Sequence, residues 1–358
     1  MNADHLRALA EELGLDAVGV ARAEAYTETE RHIRERRARG LFADMRFTMA
    51  QPERSCHPET LLEDARSVVS AALCYWEPEP PLGAGEGRLA RYTWHDGYAQ
   101  LRERLARLGD LIGGRYRVLV DANQHVDREA AARSGVGFYG KNTMLITRRH
   151  GSWVVLGTLV TAVELEATRP LDADCGECRI CIDACPTGAL DEPGVLDSAK
   201  CLSYWTQAPA PIPEAYRPAL GAQVYGCDIC QDVCPWNNFA QVAPEREFYA
   251  RDGNLTPSLI ALLGMTRDEF NHRFKGSPVK RAKHTGFLRN VAVALGNSND
   301  PAAIPALERA LEHEEPLVRA HAAWALGRLG ARAVLERRRP VESAVEVLEE
   351  IDAALAAS

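Results

Sequence analysis

The sequence lacks any apolar stretch long enough to cross a lipid bilayer. Its longest nearly unbroken apolar run, residues 153–163, has about eleven residues, whereas a membrane-spanning helix needs about 20. It also lacks a signal-peptide pattern, because acidic residues occupy the N-terminal segment where a secretory peptide is apolar. We therefore expect a cytoplasmic protein with no membrane partner.

An excess of positive charge is also missing. Lysine and arginine total 42 and aspartate and glutamate total 50, which gives a net charge of -8. This balance excludes a protein that is basic overall and coats nucleic acid indiscriminately, although it permits a local basic patch. Hydrophobic residues make up 46% of the 358 residues, so the chain can form two or three cores and is not intrinsically disordered.

Cysteine is scarce except in one segment. Eight of the ten cysteines lie between Cys175 and Cys234, and only Cys56 and Cys74 lie elsewhere. We interpret these two as buried spare thiols, because free cysteine packs like a small hydrophobic residue. In a reducing compartment the clustered thiols stay available for metal binding, so the segment predicts a cofactor site and not a disulfide framework.

The cysteine spacing indicates two iron–sulfur clusters. The first run is C-x2-C-x2-C-x3-C-P, the bacterial ferredoxin spacing, and the second, C-x2-C-x3-C-P, lacks one cysteine that Cys201 can replace. Eight thiolates then serve two 4Fe-4S clusters. The predicted ligands of one are Cys175, Cys178, Cys181 and Cys234, and those of the other are Cys185, Cys201, Cys227 and Cys230. Structural zinc is the alternative, but a zinc site needs neither the x3-C-P ending nor a fourth ligand shared between runs.

Hydrophobic periodicity predicts three regions. Residues 1–165 alternate helical and strand patterns, which indicates a mixed α/β domain. The predicted strands are 16–21, 67–75, 116–120, 143–147 and 153–163, and the predicted helices are 3–13, 29–40, 98–112 and 127–134.

The remaining two regions differ in composition. Residues 166–243 are rich in cysteine, proline and glycine, so the metal clusters must hold them together. Residues 244–358 are helical, and their segments LRNVAVALGN and VRAHAAWALGRLG lie about thirty residues apart. We predict two HEAT-like repeats there, with one small helical bundle as the alternative.

The reaction centre is expected upstream of the clusters, because clusters transfer electrons but do not themselves perform substrate chemistry. The segment 118–146 contains Asp121 at a strand end and a glycine-rich loop, GVGFYGKNT, whose glycines predict close backbone approach to a large ligand. Its G-x-G-x-x-G pattern follows a helix and not a strand, so a nicotinamide site is not expected.

These motifs together resemble the epoxyqueuosine reductases, cobalamin-dependent iron–sulfur enzymes of tRNA modification. The resemblance covers nearly the whole chain, through the two cysteine runs, Cys201, GVGFYGKNT, the D-x5-D-R pattern from Asp121 to Arg128, and KRAKHTGFLRNVAVALGN. It implies a reductive-dehalogenase-like α/β cobalamin domain, a two-cluster ferredoxin-type insert and C-terminal α-helical HEAT-like repeats. It also implies reduction of epoxyqueuosine to queuosine at the tRNA wobble position, with electrons from a ferredoxin, a flavodoxin or a similar donor.

The resemblance also implies individual site residues. Asp121 matches the proton donor, which the chemistry needs because an epoxide oxygen leaves only when protonated. The alternative is an aspartate that caps the following helix. The residues implied to contact cobalamin are Arg54, Asp121, Lys141, Asn142, Leu145, Leu156, Ser203 and Asp228. For Arg54 an ordinary surface arginine is the alternative.

A tRNA surface is predicted in the helical region. Residues 271–298 contain six lysines or arginines and no acidic residue, and phosphate contacts supply most non-specific affinity for nucleic acid. The predicted contacts are Lys280, Arg281, Lys283, Arg289 and Asn290. A solvated charged face is the alternative. We expect a monomer, because no coiled-coil pattern is present.

Two other functions compete with this interpretation. A cobalamin reductive dehalogenase of small organohalides would need no basic helical tail. A two-cluster electron-transfer protein would bind iron but no corrinoid, and its Asp121 and GKNT residues would only pack. A HEAT-type scaffold would explain the last eighty residues and nothing before them.

Overall fold

The computed structural model describes residues 2–122, 124–242 and 253–357. The chain divides into two compact units, each assembled from segments that are distant in the sequence. Unit 1 consists of Met1–Pro78, His95–Lys200 and Ile229–Phe248, and unit 2 consists of Glu79–Trp94, Cys201–Asp228 and Tyr249–Ser358. These units divide the chain differently from the predicted regions 1–165, 166–243 and 244–358, which stay a prediction, and residue 243 lies outside the described residues.

Strands and helices are numbered in chain order. The strands in the described residues are β1 (Ala17–Arg22), β2 (Ser67–Cys74), β3 (Arg88–Leu89), β4 (Tyr116–Val120), β5 (Phe138–Tyr139), β6 (Leu145–Ile146), β7 (Val154–Thr161) and β8 (Gln223–Tyr225). The α-helices there are α1 (Ala3–Glu12), α2 (Thr27–Ala38), α3 (Pro52–Ser55), α4 (Gly97–Ile112), α5 (Asp127–Arg133), α6 (Ile180–Asp183), α7 (Leu202–Trp205), α8 (Ile229–Asp232), α9 (Leu259–Leu263), α10 (Arg267–Arg273), α11 (Lys283–Asn297), α12 (Ile304–Ala310), α13 (Pro316–Arg328), α14 (Arg332–Arg338) and α15 (Val345–Ala356).

Unit 1 is built on an antiparallel sheet of order β1-β2-β7-β4. Every residue of β2 is buried, because helices cover both faces of the sheet. On one face Val68 and Val160 pack with Tyr26 and Ile33 in one hydrophobic core. On the other face α4 approaches so closely that a Cβ on Gly157 would lie 2.6 Å from a methyl group of Leu105. Strands buried on both faces appear in the sequence as continuous apolar runs.

The predicted elements of the first region are confirmed. Each of the five predicted strands overlaps an observed strand, and each of the four predicted helices overlaps an observed helix. The predicted strand 143–147 is shorter than expected, because Leu145–Ile146 alone pairs with β5 in a small two-stranded sheet. This hairpin presents the GKNT segment as a tight connection between its strands.

Unit 2 contains the predicted stack of helices. Helix α13 packs against α11 and α15, and small residues at the contacts bring the helices close together. A Cβ on Gly296 would lie 2.8 Å from the Cα of Ala325, and one on Gly327 would lie 2.5 Å from the Cβ of Ala354. The repeated small residues that the sequence shows in α11 and α13 therefore set the helix spacing. Within the described residues, no helix is long and apolar enough to cross a membrane.

Candidate functional site

Asp121 directly follows the last residue of β4 and adopts an unusual backbone conformation. Its φ is 52°, in the left-handed region that aspartate tolerates better than most residues, and it is exposed. Helix α5 begins six residues later with Val126 as its N-cap and without a side-chain cap. Asp121 is therefore not the N-cap residue of this helix, and the turn places it at the end of the strand.

Asp127, the first residue of α5, is a second carboxyl group near Asp121. Burial raises the pKa of Asp127, and the negative charge of Asp121 adds to the rise. The charge of Arg128 and its backbone N–H, which donates to Asp127 Oδ1 at 2.7 Å, act in the opposite direction. The D-x5-D-R pattern therefore places two coupled carboxyl groups and a guanidinium at one end of the sheet.

His125, on the loop between these aspartates, is a polar group that the sequence analysis did not identify. It is 1% exposed, and neither ring nitrogen has a hydrogen-bond partner among the described residues. Burial lowers the pKa of His125 to about 4, so the ring is neutral at neutral pH. Its ring centroid lies 5.7 Å from that of Tyr26, and this aromatic contact anchors the loop in the unit 1 core.

Four of the predicted iron ligands surround one cavity of about 60 Å³ in unit 1. Cys175, Cys178, Cys181 and Cys234 all line it. Burial raises the pKa of Cys181, and the three neighbouring sulfurs add to the rise because thiolates repel one another. Bound iron offsets that repulsion. Four thiols around a small, mostly apolar cavity are the donor set that a 4Fe-4S cluster requires, so these residues fit the predicted cluster.

The GKNT segment holds the loops that carry these cysteines. Lys141 Nζ donates to the Gly176 carbonyl at 2.5 Å, which lies in the first cysteine run. Asn142 Nδ2 donates to the Cys230 carbonyl at 3.2 Å, in the second run. The same asparagine accepts from the Met144 backbone N–H through Oδ1. Both residues were predicted to contact cobalamin, and in unit 1 their side chains connect the two cysteine runs.

The glycines of this loop allow the protein's own backbone to approach closely. A Cβ on Gly135 would lie 2.1 Å from the Arg169 carbonyl oxygen, and one on Gly137 would lie 2.5 Å from that of Ile146. Gly135 also has a φ of 73°. Chain segments of unit 1 therefore occupy the space where side chains of these two residues would lie, and the predicted close approach of this loop to a large ligand stays a prediction.

The second predicted ligand set has two cysteines in each unit. In unit 1, Cys185 and Cys230 pack against the same small apolar cluster, which contains Ile182 and Leu190. In unit 2, Cys201 is the N-cap residue of α7, and Cys227 is half-buried after β8. The two cysteines outside the runs, Cys56 and Cys74, are fully buried as predicted, and burial raises their pKa values to about 11 and about 12.

The other residues predicted for cobalamin differ in accessibility. Leu145 is 2% exposed and Asp228 is 6% exposed, and Asp228 accepts from the Arg91 backbone N–H at 2.8 Å. Leu156 and Ser203 are half-buried, and Arg54 is exposed. Arg54, Leu156 and Ser203 therefore keep accessible side-chain surface, whereas Leu145 and Asp228 are occupied by contacts inside their units.

The predicted tRNA contacts fall into two groups. Lys280, Arg281 and Lys283 are exposed around the start of α11, as a nucleic-acid surface requires. Arg289 and Asn290 are 0% exposed, and their assignment to the tRNA surface is wrong.

The physical reason is a set of internal hydrogen bonds in unit 2. Arg289 donates to the carbonyls of Trp205 at 2.7 Å and Ala208 at 2.8 Å, and also to that of Ala210. Asn290 Nδ2 donates to the carbonyls of Thr206 and Val224, each at 2.8 Å. These side chains hold the segment after α7, and through Val224 also strand β8, against α11.

The fold and the cysteine site define an iron–sulfur protein with a mixed α/β domain and a HEAT-type helical region. Family models agree with each part. A 4Fe-4S double cluster binding domain matches residues 174–237, HEAT repeats match residues 281–351, and the model described as epoxyqueuosine reductase QueG, DUF1730, matches residues 55–127.

Full-length comparisons identify the family. The epoxyqueuosine reductase of Xanthomonas campestris pv. campestris is 36% identical over 342 residues, which cover 92% of this chain and 96% of the relative. That of Escherichia coli is 33% identical and covers 88% of this chain and 86% of the relative. The chain belongs to the epoxyqueuosine reductase family.

Solved structures of the family have the same fold. An epoxyqueuosine reductase with an epoxyqueuosine-modified tRNA-Tyr stem loop matches with a TM-score of 0.88 and 30% identity, covering 99% of this chain and 97% of that one. The Bacillus subtilis enzyme, with its catalytic aspartate loop swung out of the active site, matches with a TM-score of 0.90 and 30% identity, covering 99% and 98%.

Proposed function

We propose that this protein reduces epoxyqueuosine in tRNA to queuosine. The epoxide carbon–oxygen bonds break, two electrons and two protons are consumed, and the oxygen leaves as water. The observation that carries the proposal is the match over 99% of the chain to a reductase solved with an epoxyqueuosine-modified stem loop. The aspartate turn after β4 supports it, because the Bacillus subtilis epoxyqueuosine reductase has a catalytic loop with an aspartate, which in its solved structure is swung out of the active site.

Asp121 is the proposed proton donor. The exposed carboxyl group at the end of β4 can approach a substrate oxygen, and general acid catalysis contributes about 100-fold to 10,000-fold to rate. Asp127, whose pKa is raised by burial, is a neighbouring carboxyl group from which Asp121 can regain a proton. Both groups lie on one short segment, which keeps them near each other.

Cobalamin is the proposed reaction cofactor, and it would supply a strongly reducing cobalt centre. Arg54, Asp121, Lys141, Leu156 and Ser203 retain exposed or half-exposed surface and would hold it. Asn142, Leu145 and Asp228 are buried. They would act indirectly, because they position the backbone and the side chains around the site.

The 4Fe-4S clusters are proposed to deliver electrons one at a time from a ferredoxin, a flavodoxin or a similar donor. Cys175, Cys178, Cys181 and Cys234 would ligate one cluster, as their shared cavity supports. The second set of Cys185, Cys201, Cys227 and Cys230 is proposed from its spacing. Regions 1–165, 166–243 and 244–358 would serve cobalamin, electron transfer and tRNA, respectively, in a monomer that acts in the cytoplasm.

Lys280, Arg281 and Lys283 are proposed to contact tRNA phosphates. These exposed side chains lie close together in the sequence at the start of α11, and the chain is acidic overall. A concentrated basic patch therefore selects where a polyanion docks.

The proposal is tested with protein purified anaerobically and mixed with cobalamin, a strong reductant and epoxyqueuosine-containing tRNA. Nucleoside mass spectrometry should detect queuosine. Asp121→Asn should lower the rate at least about 100-fold, while iron content and RNA affinity stay unchanged. Asp268→Asn, which changes an exposed carboxylate in unit 2, is the matched control. Wild-type protein that binds tRNA but forms no queuosine would refute the proposed function.

A further inference from the structure

A cleft of about 210 Å³ in unit 1 contains Arg54, one of the residues proposed to hold cobalamin, together with residues that have no role in the site described above. It is lined by two arginines, Arg54 and Arg117, together with the amide side chains of Gln51 and Gln124 and the exposed ring of Phe47. A site that encloses a whole drug-sized ligand occupies about 300–1,000 Å³. This cleft is smaller, so it would accept one segment of a larger molecule.

The two guanidinium groups are not compensated by carboxylates. Arg117 donates to Gln124 Oε1 at 2.5 Å and to the Leu61 carbonyl at 3.3 Å. Arg54 donates to Gln51 Oε1 at 3.3 Å. Across residues 2–122, 124–242 and 253–357, no carboxylate lies within ion-pair distance of either group. All their acceptors are neutral, so two positive charges face the cleft without a counter-charge.

Two other arginines of unit 1 have carboxylate partners, in contrast to Arg54 and Arg117. Arg115, two residues before Arg117 on the chain, lies 2.5 Å from the Asp64 carboxylate. Arg133 pairs with Glu129 at 2.7 Å. Like charges that face one cleft repel each other, and an anion bound between them removes that repulsion. The cleft therefore has the electrostatic character of an anion site.

The other lining groups indicate which anion fits. A guanidinium presents five N–H donors in a planar fork that matches phosphate oxygens. Phe47 is 44% exposed, and an exposed aromatic ring offers a stacking surface for a base. The side-chain amides of Gln51 and Gln124 can donate to and accept from a base edge. A phosphodiester that carries a heteroaromatic base satisfies all these groups.

The cleft is also connected to the proposed proton donor. Gln124, which accepts from Arg117, lies three residues after Asp121 on the same loop. A ligand that orders Arg117 would thereby restrain Gln124 and the Asp121 carboxyl group. Arg117 is therefore a positioning residue, because it reaches Asp121 through the chain and does not contact it.

We propose that this cleft binds a base-bearing phosphodiester and, through the Arg117–Gln124 contact, holds the Asp121 loop in place. The phosphodiester belongs to the RNA substrate or to the nucleotide tail of a corrinoid, which share this chemistry. The inference rests on the proposed function for the identity of these two ligands.

The test compares Arg117→Gln and Arg117→Lys with Arg115→Gln in the full-length protein. Arg115→Gln is a matched control, because it removes the same charge two residues away from a guanidinium that already has a carboxylate partner. The probes are an unmodified anticodon stem-loop RNA, followed by fluorescence anisotropy from low to high salt, and cobalamin, followed by its absorption spectrum.

Arg117→Gln should weaken binding of one probe about fivefold to tenfold, since it removes a charge-assisted contact that is partly exposed. Arg117→Lys should recover part of the loss, and Arg115→Gln should change affinity less than twofold. If RNA is the ligand, the salt dependence of log K should become shallower by about 0.7 to 0.9. If the corrinoid is the ligand, cobalamin affinity should fall and RNA affinity should not.

Either of these results supports the phosphodiester site and identifies its source. Arg117→Gln that matches Arg115→Gln with both probes would overturn it. The queuosine assay tests the proposed function separately from probe binding. A wild-type protein without reductase activity would refute the proposed function, but it would leave the effect of Arg117→Gln on probe binding valid. A fall in queuosine formation at saturating RNA and cobalamin, in Arg117→Gln but not in Arg115→Gln, would support the coupling to Asp121. Equal activity of the two variants would overturn that coupling.

Discussion

Replacement of Arg289 by methionine tests whether this residue of α11 binds RNA or stabilises unit 2. In the wild-type protein the Arg289 guanidinium donates to three backbone carbonyls, those of Trp205, Ala208 and Ala210. Methionine fills a similar elongated space but donates no hydrogen bond. Arg289→Met therefore leaves these carbonyls without their donor while it preserves most of the packing.

The expected loss can be estimated from the surroundings of these carbonyls. Ala210 is exposed, so water can replace the guanidinium there, whereas Ala208 is 4% exposed and Trp205 is half-buried. Each buried carbonyl without a partner costs about 1–3 kcal/mol. Removal of a buried charge returns part of this cost, so we expect unit 2 to lose about 3 kcal/mol. In a unit of about 150 residues this corresponds to a fall in Tm of about 6–12 °C.

Hydrogen exchange with mass spectrometry measures the effect where it should occur. A loss of about 3 kcal/mol should speed exchange of the amides of residues 204–210 about 100-fold. Lys280→Gln removes the same charge from an exposed position and should leave exchange and Tm unchanged while it weakens RNA binding. If Arg289→Met has wild-type exchange and Tm but binds RNA as weakly as Lys280→Gln, then Arg289 does not have the structural role assigned to it.

Two further predictions concern the clusters and the C-terminal helices. Cys175→Ser should reduce the iron content from about eight to about four atoms per chain, because each 4Fe-4S cluster needs all its ligands. Cys56→Ser, the control, should retain the full iron content. Equal iron content in both variants would contradict the ligand assignment. Burial works to raise the pKa of Glu342, but hydrogen bonds from Arg319, from backbone N–H groups and from Arg338 hold it well below its usual range. Its contribution to stability is therefore fully present above the ordinary glutamate pKa of about 4.3 and is lost as the pH falls toward the lowered value. Glu342→Gln should destabilise unit 2 by about 2–4 kcal/mol at pH 7 and by less at pH 3, as measured by urea unfolding. If the difference in free energy of unfolding between the variant and the wild type is the same at both pH values, the carboxylate charge is not responsible.

The secondary structure of unit 1 was predictable because its elements carry strong local signals. The strand from Ser67 is buried along its whole length, so it appears as an apolar run, and α4 shows helical periodicity that ends at Gly113, where φ is 80°. The cysteine spacing likewise predicted a ligand set of which four members share one cavity. These features depend on residues near one another in the sequence or on the fixed geometry of a cluster.

Residue roles that depend on distant partners could not be predicted in this way. Arg289 belongs to a basic run in the sequence, yet it is buried because a segment about eighty residues earlier supplies its carbonyl acceptors. Gly135 and Gly137 lie in a motif typical of ligand loops, but Arg169 and Ile146 occupy the space beside them. No local pattern distinguishes a buried arginine from an exposed one, because both contribute the same charge to the sequence.

The sequence by itself therefore determined the family and the order of helices and strands, and it predicted the iron ligands, because spacing and periodicity are local properties of the chain. The tertiary structure alone decided that Lys141 and Asn142 connect the cysteine runs, that Asp121 and Asp127 are coupled, and that Arg117 faces a cleft without a carboxylate partner. Charge compensation and burial depend on which segments meet in space, and that arrangement emerges only when the chain has folded.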